Sequence, residues 1–238
     1  MYDHMPRQNK AHTTLMVLED YFGGSIKDKT LINVGGSAGI IDEYLARHCA
    51  FVVGTDIDEK AIAYAQQQFQ ADNLTFAVAD AMQLQYADNS FDIAVCSHVY
   101  EHVPDAKKMM AEIQRILKPG GVCYFAAGNR LMWNEPHYNL KLLSVIPRPL
   151  AHVYIRLAGK ADYYYEQHLS YWGLKALIRP FTHIEYTRKI IENPEQYGAE
   201  YMLKPNTKKS LIARIVAKYA VWLLPSYIWI LENPADKK

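Results

Sequence analysis

The chain has little cysteine, no long apolar run and almost no net charge. Its three cysteines, Cys49, Cys96 and Cys123, are widely spaced and form no CxxC or Cys/His cluster. An odd number without such a pattern argues against a disulfide framework, offers no metal site, and leaves buried reduced thiols. A membrane-spanning helix needs about 20 consecutive apolar residues. The longest candidate, Leu211 to Leu231, is interrupted by Arg214, Lys218 and Pro225. The opening MYDHMPRQNK carries no apolar signal-peptide core, so a cytoplasmic protein is the expectation. A formal net charge of +1 makes no demand for a nucleic-acid partner. There is neither an internal repeat nor a low-complexity segment.

What is present is globular. Of 238 residues, 50% are apolar and 21% charged, which suits a single domain over 1–238 with a full core. Short apolar runs alternate with helical patterns, the mark of βαβ units and a mainly parallel sheet. Leu31–Val34, Phe51–Thr55, Leu74–Ala79, Phe91–Cys96 and Val122–Ala126 read as its first five strands. Asp58 caps a helix to about Gln70. Asp105 caps another, with Met109, Ile113, Ile116 and Leu117 on one face, ending at Lys118-Pro119-Gly120-Gly121. The rhythm then fails. Residues 130–169 are rich in aromatics, His and Pro, show no clear strand, and read as an insertion over the carboxyl edge of the sheet. A helix from Ser170 to about Arg179, a strand around His183–Ile190, a basic amphipathic helix over Lys208–Leu224 and a strand over Tyr227–Leu231 complete the pattern.

Two motifs carry chemistry. Leu31-Ile32-Asn33-Val34-Gly35-Gly36-Ser37-Ala38-Gly39 places glycines between a buried strand and a helix, where backbone can approach a ligand and helix N–H groups face it. A dinucleotide fingerprint wants glycine at relative positions 1, 3 and 6. Those positions hold Gly35, Ser37 and Ile40, so the nicotinamide reading fits poorly. About 20 residues on, Asp56 ends the second strand and can accept hydrogen bonds from both hydroxyls of an adenosyl ribose. Helix capping is then left to Asp58.

These segments, with Asp80-Ala81-Met82 and Leu84, Asp88-Asn89-Ser90-Phe91-Asp92, Glu101-His102-Val103 and Leu117-Lys118-Pro119-Gly120-Gly121, resemble in order and spacing the class I S-adenosylmethionine (SAM)-dependent methyltransferases over about residues 28–127. The resemblance implies a Rossmann-like, doubly wound, seven-stranded sheet, mostly parallel with an antiparallel last strand. It implies SAM as cofactor and S-adenosylhomocysteine as product. It also implies cofactor contacts from Asn33, Gly35, Gly36, Ser37, Gly39, Asp56, Ile57, Asp80, Ala81, Met82 and Ser97. Two positions depart from the family pattern, which has an acid at Asn33 and a glycine at Ser37. Asn33 is nearly isosteric with Asp and is expected to keep a hydrogen bond to the loop.

Methyl transfer from a sulfonium is an in-line displacement, in which alignment does most of the work. An oxygen or nitrogen nucleophile also needs a base, which favours His. His98 and His102, just past the fourth strand, are the candidates; the alternative for His102 is that it only holds its loop. His137, Tyr138, Tyr164 and His168 are candidate acceptor contacts from the insertion, which is expected to close as a lid; the alternative is an ordinary hydrophobic minidomain. Along 208–224, Leu211, Ile212, Ile215, Val216, Tyr219, Trp222 and Leu223 form an apolar stripe. Core packing is the preferred reading and peripheral contact with an anionic membrane the alternative. The expected function is methylation of a small-molecule or lipid-like acceptor. The alternatives are aminopropyl or other modified-SAM transfer, and a catalytically silent SAM-binding protein. Nucleic-acid base methylation is disfavoured, because Ser97-His98-Val99-Tyr100 stands where Asp/Asn-Pro-Pro-aromatic should.

Overall fold

The computed structural model describes residues 4–234. In chain order it contains α1 (His4–Phe22), β1 (Thr30–Val34), α2 (Ile40–Ala46), β2 (Phe51–Asp56), α3 (Glu59–Gln68), β3 (Leu74–Val78), β4 (Phe91–Ser97), α4 (Ala106–Ile116) and β5 (Leu117–Gly128). There follow β6 (Asn134–Glu135), β7 (Leu140–Lys141), α5 (Arg148–Leu157), α6 (Tyr171–Leu177), β8 (Thr182–Glu185), α7 (Thr187–Glu192), α8 (Lys208–Tyr219), a 3-10 turn (Val221–Leu223) and β9 (Ser226–Glu232). Seven strands form one sheet in the order β3-β2-β1-β4-β5-β9-β8. All pairs from β3 to β5 are parallel, and β9 runs antiparallel to both β5 and β8. The expected Rossmann-like sheet with an antiparallel last strand is what the chain forms. Strand order reverses between β1 and β4, and ligands bind at the carboxyl edge of such a switch point.

The alternation along each strand builds two cores, one on each face. On β5, Cys123, Phe125 and Ala127 join Tyr227, Trp229 and Leu231 of β9 and the Met109, Met110, Ile113 and Ile116 side of α4. Val122, Tyr124 and Ala126 point the other way, toward Leu15, Val17 and Leu18 of α1, Leu45 of α2, and Ile62. Each fully buried large side chain contributes about 1.5–3 kcal/mol. The three cysteines are free and buried, as expected. Asp58 and Asp105 cap α3 and α4, each accepting two backbone N–H groups.

Four expectations need correction. The strand drawn over His183–Ile190 stops at Glu185. Thr187 opens a helix whose first amide is held by the Glu185 carboxylate, with Ile190 and Ile191 buried. Residues 130–169 do contain strands, but only a two-residue hairpin, β6–β7, too short to leave a periodic signal. The basic helix ends at Tyr219 rather than Leu224. Its apolar stripe is not core: Leu211, Ile212, Ile215, Tyr219 and Leu223 are exposed. The residues of α8 that bury are small, Ser210 and Ala217. The first helix, α1, was not foreseen, because its buried residues include Thr13 and Thr14 and its apolar periodicity is weak.

Candidate active site

At the carboxyl ends of β1, β2 and β4 opens a cavity of about 250 Å³. It gathers Gly35, Asp56, Ile57, Asp80, Ala81 and Met82 with both candidate histidines, His98 and His102. Ala79, Val99, Val103 and Pro104 complete its wall, none of them among the expected contacts. Gly35 has φ 75°, and a Cβ there would fall 2.6 Å from a Val99 methyl. Its bareness is therefore required by the wall opposite as well as by backbone conformation.

Asp56 organises the loop. One of its carboxylate oxygens accepts the Ser37 N–H at 2.8 Å and the other the Asp58 N–H at 3.0 Å. Asp80 is held similarly, by the Met82 N–H at 2.8 Å. Each carboxylate is thus fixed by backbone while still bordering the cavity, and each retains acceptor capacity. Ser37 sits at φ 56°, in the left-handed region. That conformation explains why glycine suits this position, and a serine there carries strain of about 1–2 kcal/mol.

The remaining loop residues lie behind the cavity. Gly39, also at positive φ, faces Ala65 and Phe76, so its bareness serves the packing of α2 against α3 and β3. Gly36, Ser37 and Ser97 are absent from the cavity lining. Asn33 is buried, and its side-chain amide faces Asp42 beneath Gly36 rather than bonding the loop. Among the described residues, the Asn33 amide nitrogen and both Asp42 oxygens find no hydrogen-bond partner. Burial pushes the Asp42 carboxyl up to about 7, and the nearby Asn33 amide, out of bonding geometry, pulls it back only in part.

His98 also adopts a left-handed conformation, at φ 57°, and its N–H is anchored on the Ala126 carbonyl at 2.8 Å. Its Nδ1 lies 3.5 Å from a Glu101 oxygen. Glu101 is buried; burial alone would raise its pKa, but the hydrogen bond and charge of His98 hold it below the ordinary value. His102 is exposed, and its ring meets His137 edge-on with centroids 4.8 Å apart.

Residues 130–169 stand beside these groups as a unit with its own small core of Leu143, Ala151, Ile155 and Tyr164. Glu135, fully buried, receives His137 Nδ1 at 2.5 Å, His168 Nε2 at 3.3 Å and the Tyr138 N–H at 3.0 Å. Burial opposes its charge, yet these partners hold the Glu135 carboxyl at about 2. The same hydrogen bond raises the pKa of His137. Tyr138 reaches Glu166 at 3.3 Å. Tyr164 and His168 lie one step further from the main cavity, lining a second one of about 230 Å³ with Arg130 and Arg148. The unit leaves and rejoins the sheet at one side chain: Tyr100 donates to the Gly128 carbonyl at 2.6 Å and accepts from the Leu169 N–H at 3.1 Å.

A family model described as a methyltransferase domain matches residues 32–125, from β1 into β5. Residues 32–125 are a class I SAM-dependent methyltransferase domain. The chain is 33% identical over 108 residues to the ubiquinone biosynthesis O-methyltransferase of Coxiella burnetii, a match covering 44% of this chain and 46% of that protein. The chain thus spans about half the length of the curated relatives it matches. The fold extends further than the sequence match. A SAM-dependent methyltransferase structure from Methanosarcina mazei superposes with a TM-score of 0.60 at 19% identity, over 92% of this chain and 98% of that one. The N-methyltransferase NodS of Bradyrhizobium japonicum does so with a TM-score of 0.54 at 17% identity, over 98% and 99%. One fold therefore serves both O- and N-methylating proteins, and it does not select the acceptor atom. The cofactor of the methyltransferase domain is SAM. The cavity suits it: a bare turn at Gly35 and two backbone-fixed carboxylates converge there.

Proposed function

We propose that the protein transfers the methyl group of SAM to a hydroxyl of a small, amphiphilic acceptor. The observation that carries this is the placement of His98 and His102 on the wall of the cofactor cavity, with His102 against His137 of the 130–169 unit. The O-methyltransferase names of the curated relatives support an oxygen nucleophile.

SAM supplies an electrophilic methyl on a sulfonium. Asp56 receives the ribose hydroxyls and Asp80 the adenine amino group, both carboxylates being fixed before the ligand arrives. His98 or His102 takes the acceptor proton as the new bond forms. For His98, the buried Glu101 carboxylate orients the ring and stabilises the imidazolium that results. The 130–169 unit covers the acceptor.

The amphiphilic part of the proposal rests on the other end of the carboxyl edge. A groove of about 350 Å³, lined by Ile190, Ile191, Met202, Val216 and Leu223, opens beside the start of β9. The exposed apolar face of α8 lies next to it, flanked by Lys208, Lys209, Arg214 and Lys218. Such a face suits an anionic bilayer from which an apolar-tailed acceptor is drawn. No helix among the described residues is long and apolar enough to cross a membrane.

The test is incubation with SAM and phenols or catechols, with and without an apolar tail, followed by mass analysis. S-adenosylhomocysteine and a methyl ether are expected, with the tailed acceptors turned over best. SAM binding without turnover of any acceptor would replace the proposal with silent binding. Co-sedimentation with anionic vesicles, lost in Leu211→Glu/Ile215→Glu, checks the surface separately.

A further inference from the structure

We propose a second, separate site: a zinc-class divalent metal ion bound by Glu135, His137 and His168. The ligand atoms of these three residues lie within 4.8 Å of one another. His137 Nδ1 and His168 Nε2 both approach the same Glu135 oxygen, at 2.5 and 3.3 Å. Ligands bonded to zinc at 2.0–2.1 Å in a tetrahedron stand about 3.3 Å apart. The His168 spacing already has that value, and His137 needs only to part slightly from the carboxylate. Two imidazoles and one carboxylate suit zinc, cobalt(II) or iron(II), and not the oxygen-seeking magnesium or calcium.

A second observation points the same way. Glu101, Glu135 and Glu166 are all buried around these histidines. Among the described residues no lysine or arginine forms an ion pair with any of them. One oxygen each of Glu101 and Glu166 is buried without a partner. Three desolvated carboxylates cost several kcal/mol each unless paired. A dication held by Glu135, His137 and His168 would place two positive charges beside these carboxylates and offset that cost.

The ion joins two stretches that are distant in sequence: the β6–β7 hairpin, which carries Glu135 and His137, and the segment before α6, which carries His168. Through the contact of His137 with His102, its occupancy also fixes the wall of the cofactor cavity. Cysteine spacing gives no sign of it, because no cysteine takes part.

The inference does not rest on methyl transfer, and it is tested without SAM or acceptor. Metal-stripped protein is titrated with Zn²⁺ against a chromophoric chelator, and separately with Co²⁺ while its visible absorbance is read. One equivalent of Zn²⁺ and the spectrum of a four- or five-coordinate cobalt site with imidazole ligands are expected. Glu135→Gln and His168→Ala should each weaken Zn²⁺ by more than the about 10–100-fold that losing an outer partner costs, whereas Glu101→Gln should retain the stoichiometry. The absence of stoichiometric Zn²⁺ and of cobalt absorbance in the unmodified protein would overturn the site, whatever the variants do. Loss in Glu101→Gln with binding intact in folded Glu135→Gln and His168→Ala would also overturn it, placing the ion with Glu101, His102 and His137 instead.

Discussion

The two walls of the cavity hold their carboxylates in opposite ways. On the β1–β3 side, Asp56 and Asp80 border the cavity and are fixed by backbone N–H groups from residues two or nineteen positions away. On the 130–169 side, Glu101, Glu135 and Glu166 are buried, and Glu101 and Glu135 face imidazoles. The first arrangement keeps charge available to a ligand at little desolvation cost. The second commits charge to the interior, where the protonation of its partners becomes part of its stability. The first wall suits the ligand-binding role proposed for it, and the second the proposed chemistry and cation.

The largest effect should come from the reactive wall. If His98 or His102 is the base, its replacement by Ala should lower turnover by about 10²–10⁴-fold at saturating SAM and acceptor and alter the acid limb of the pH profile. SAM affinity measured by calorimetry should stay unchanged. Near-normal turnover in both variants would erase the contrast and move the base into the 130–169 unit. On the binding wall, Asp56→Ala should cost about 1.5–3 kcal/mol of SAM affinity, since a charge-assisted contact is lost. Unchanged affinity in a folded variant would remove the ribose assignment.

Asp42 sharpens the comparison, because it is a buried carboxyl on the binding side. A carboxyl whose folded pKa is raised is destabilised relative to the unfolded chain as pH climbs from the unfolded value toward the folded one. Stability should therefore fall between about pH 4 and pH 7 and level off above. Asp42→Asn should remove that loss, stabilising the protein by about 1–3 kcal/mol at pH 8 and by nothing comparable at pH 4. Thermal melts at the two pH values decide it; a gain of equal size at both would show that the carboxyl is not the cause. The smallest effect is expected at Ser37. Ser37→Gly should relieve left-handed strain against the greater freedom of glycine when unfolded, for a net gain of at most about 1 kcal/mol, or about 2–4 °C. A lower melting temperature would mean that the serine side chain contributes a contact.

The same division explains what could be read from the residues. The sheet, the caps at Asp58 and Asp105, and the cavity residues Gly35 and Asp56 follow from local rules: strand-turn-helix punctuation and spacing within one βαβ unit. Asp80 comes only with the family resemblance. Two features defeated those rules. α8 has the spacing of a core-facing helix, but only Ser210 and Ala217 bury, and periodicity cannot say whether anything covers a stripe. Glu135, His137 and His168 meet across about 30 residues of irregular chain, so their convergence leaves no pattern in the order of residues. The Asn33–Asp42 pairing lies between these cases. Asn33 stands out in the sequence as a departure from an acid, but only the packing beneath Gly36 shows that it lies beside a second buried polar residue, Asp42.

The phenol of Tyr100 gives the 130–169 unit a common exit and entrance. With Gly128 and Leu169 held on one hydroxyl, and the Arg130 N–H bonded to the Leu169 carbonyl at 2.9 Å, the ends of the excursion stay together whatever lies between them. The cost of closing a loop grows only slowly with its length once its ends are met. The segment therefore behaves as a cassette. It can be lengthened, shortened or exchanged for one with a different lining while the sheet and its cofactor cavity keep their geometry. If the segment covers the acceptor, as proposed, acceptor choice can change on this scaffold without the cofactor half having to change with it.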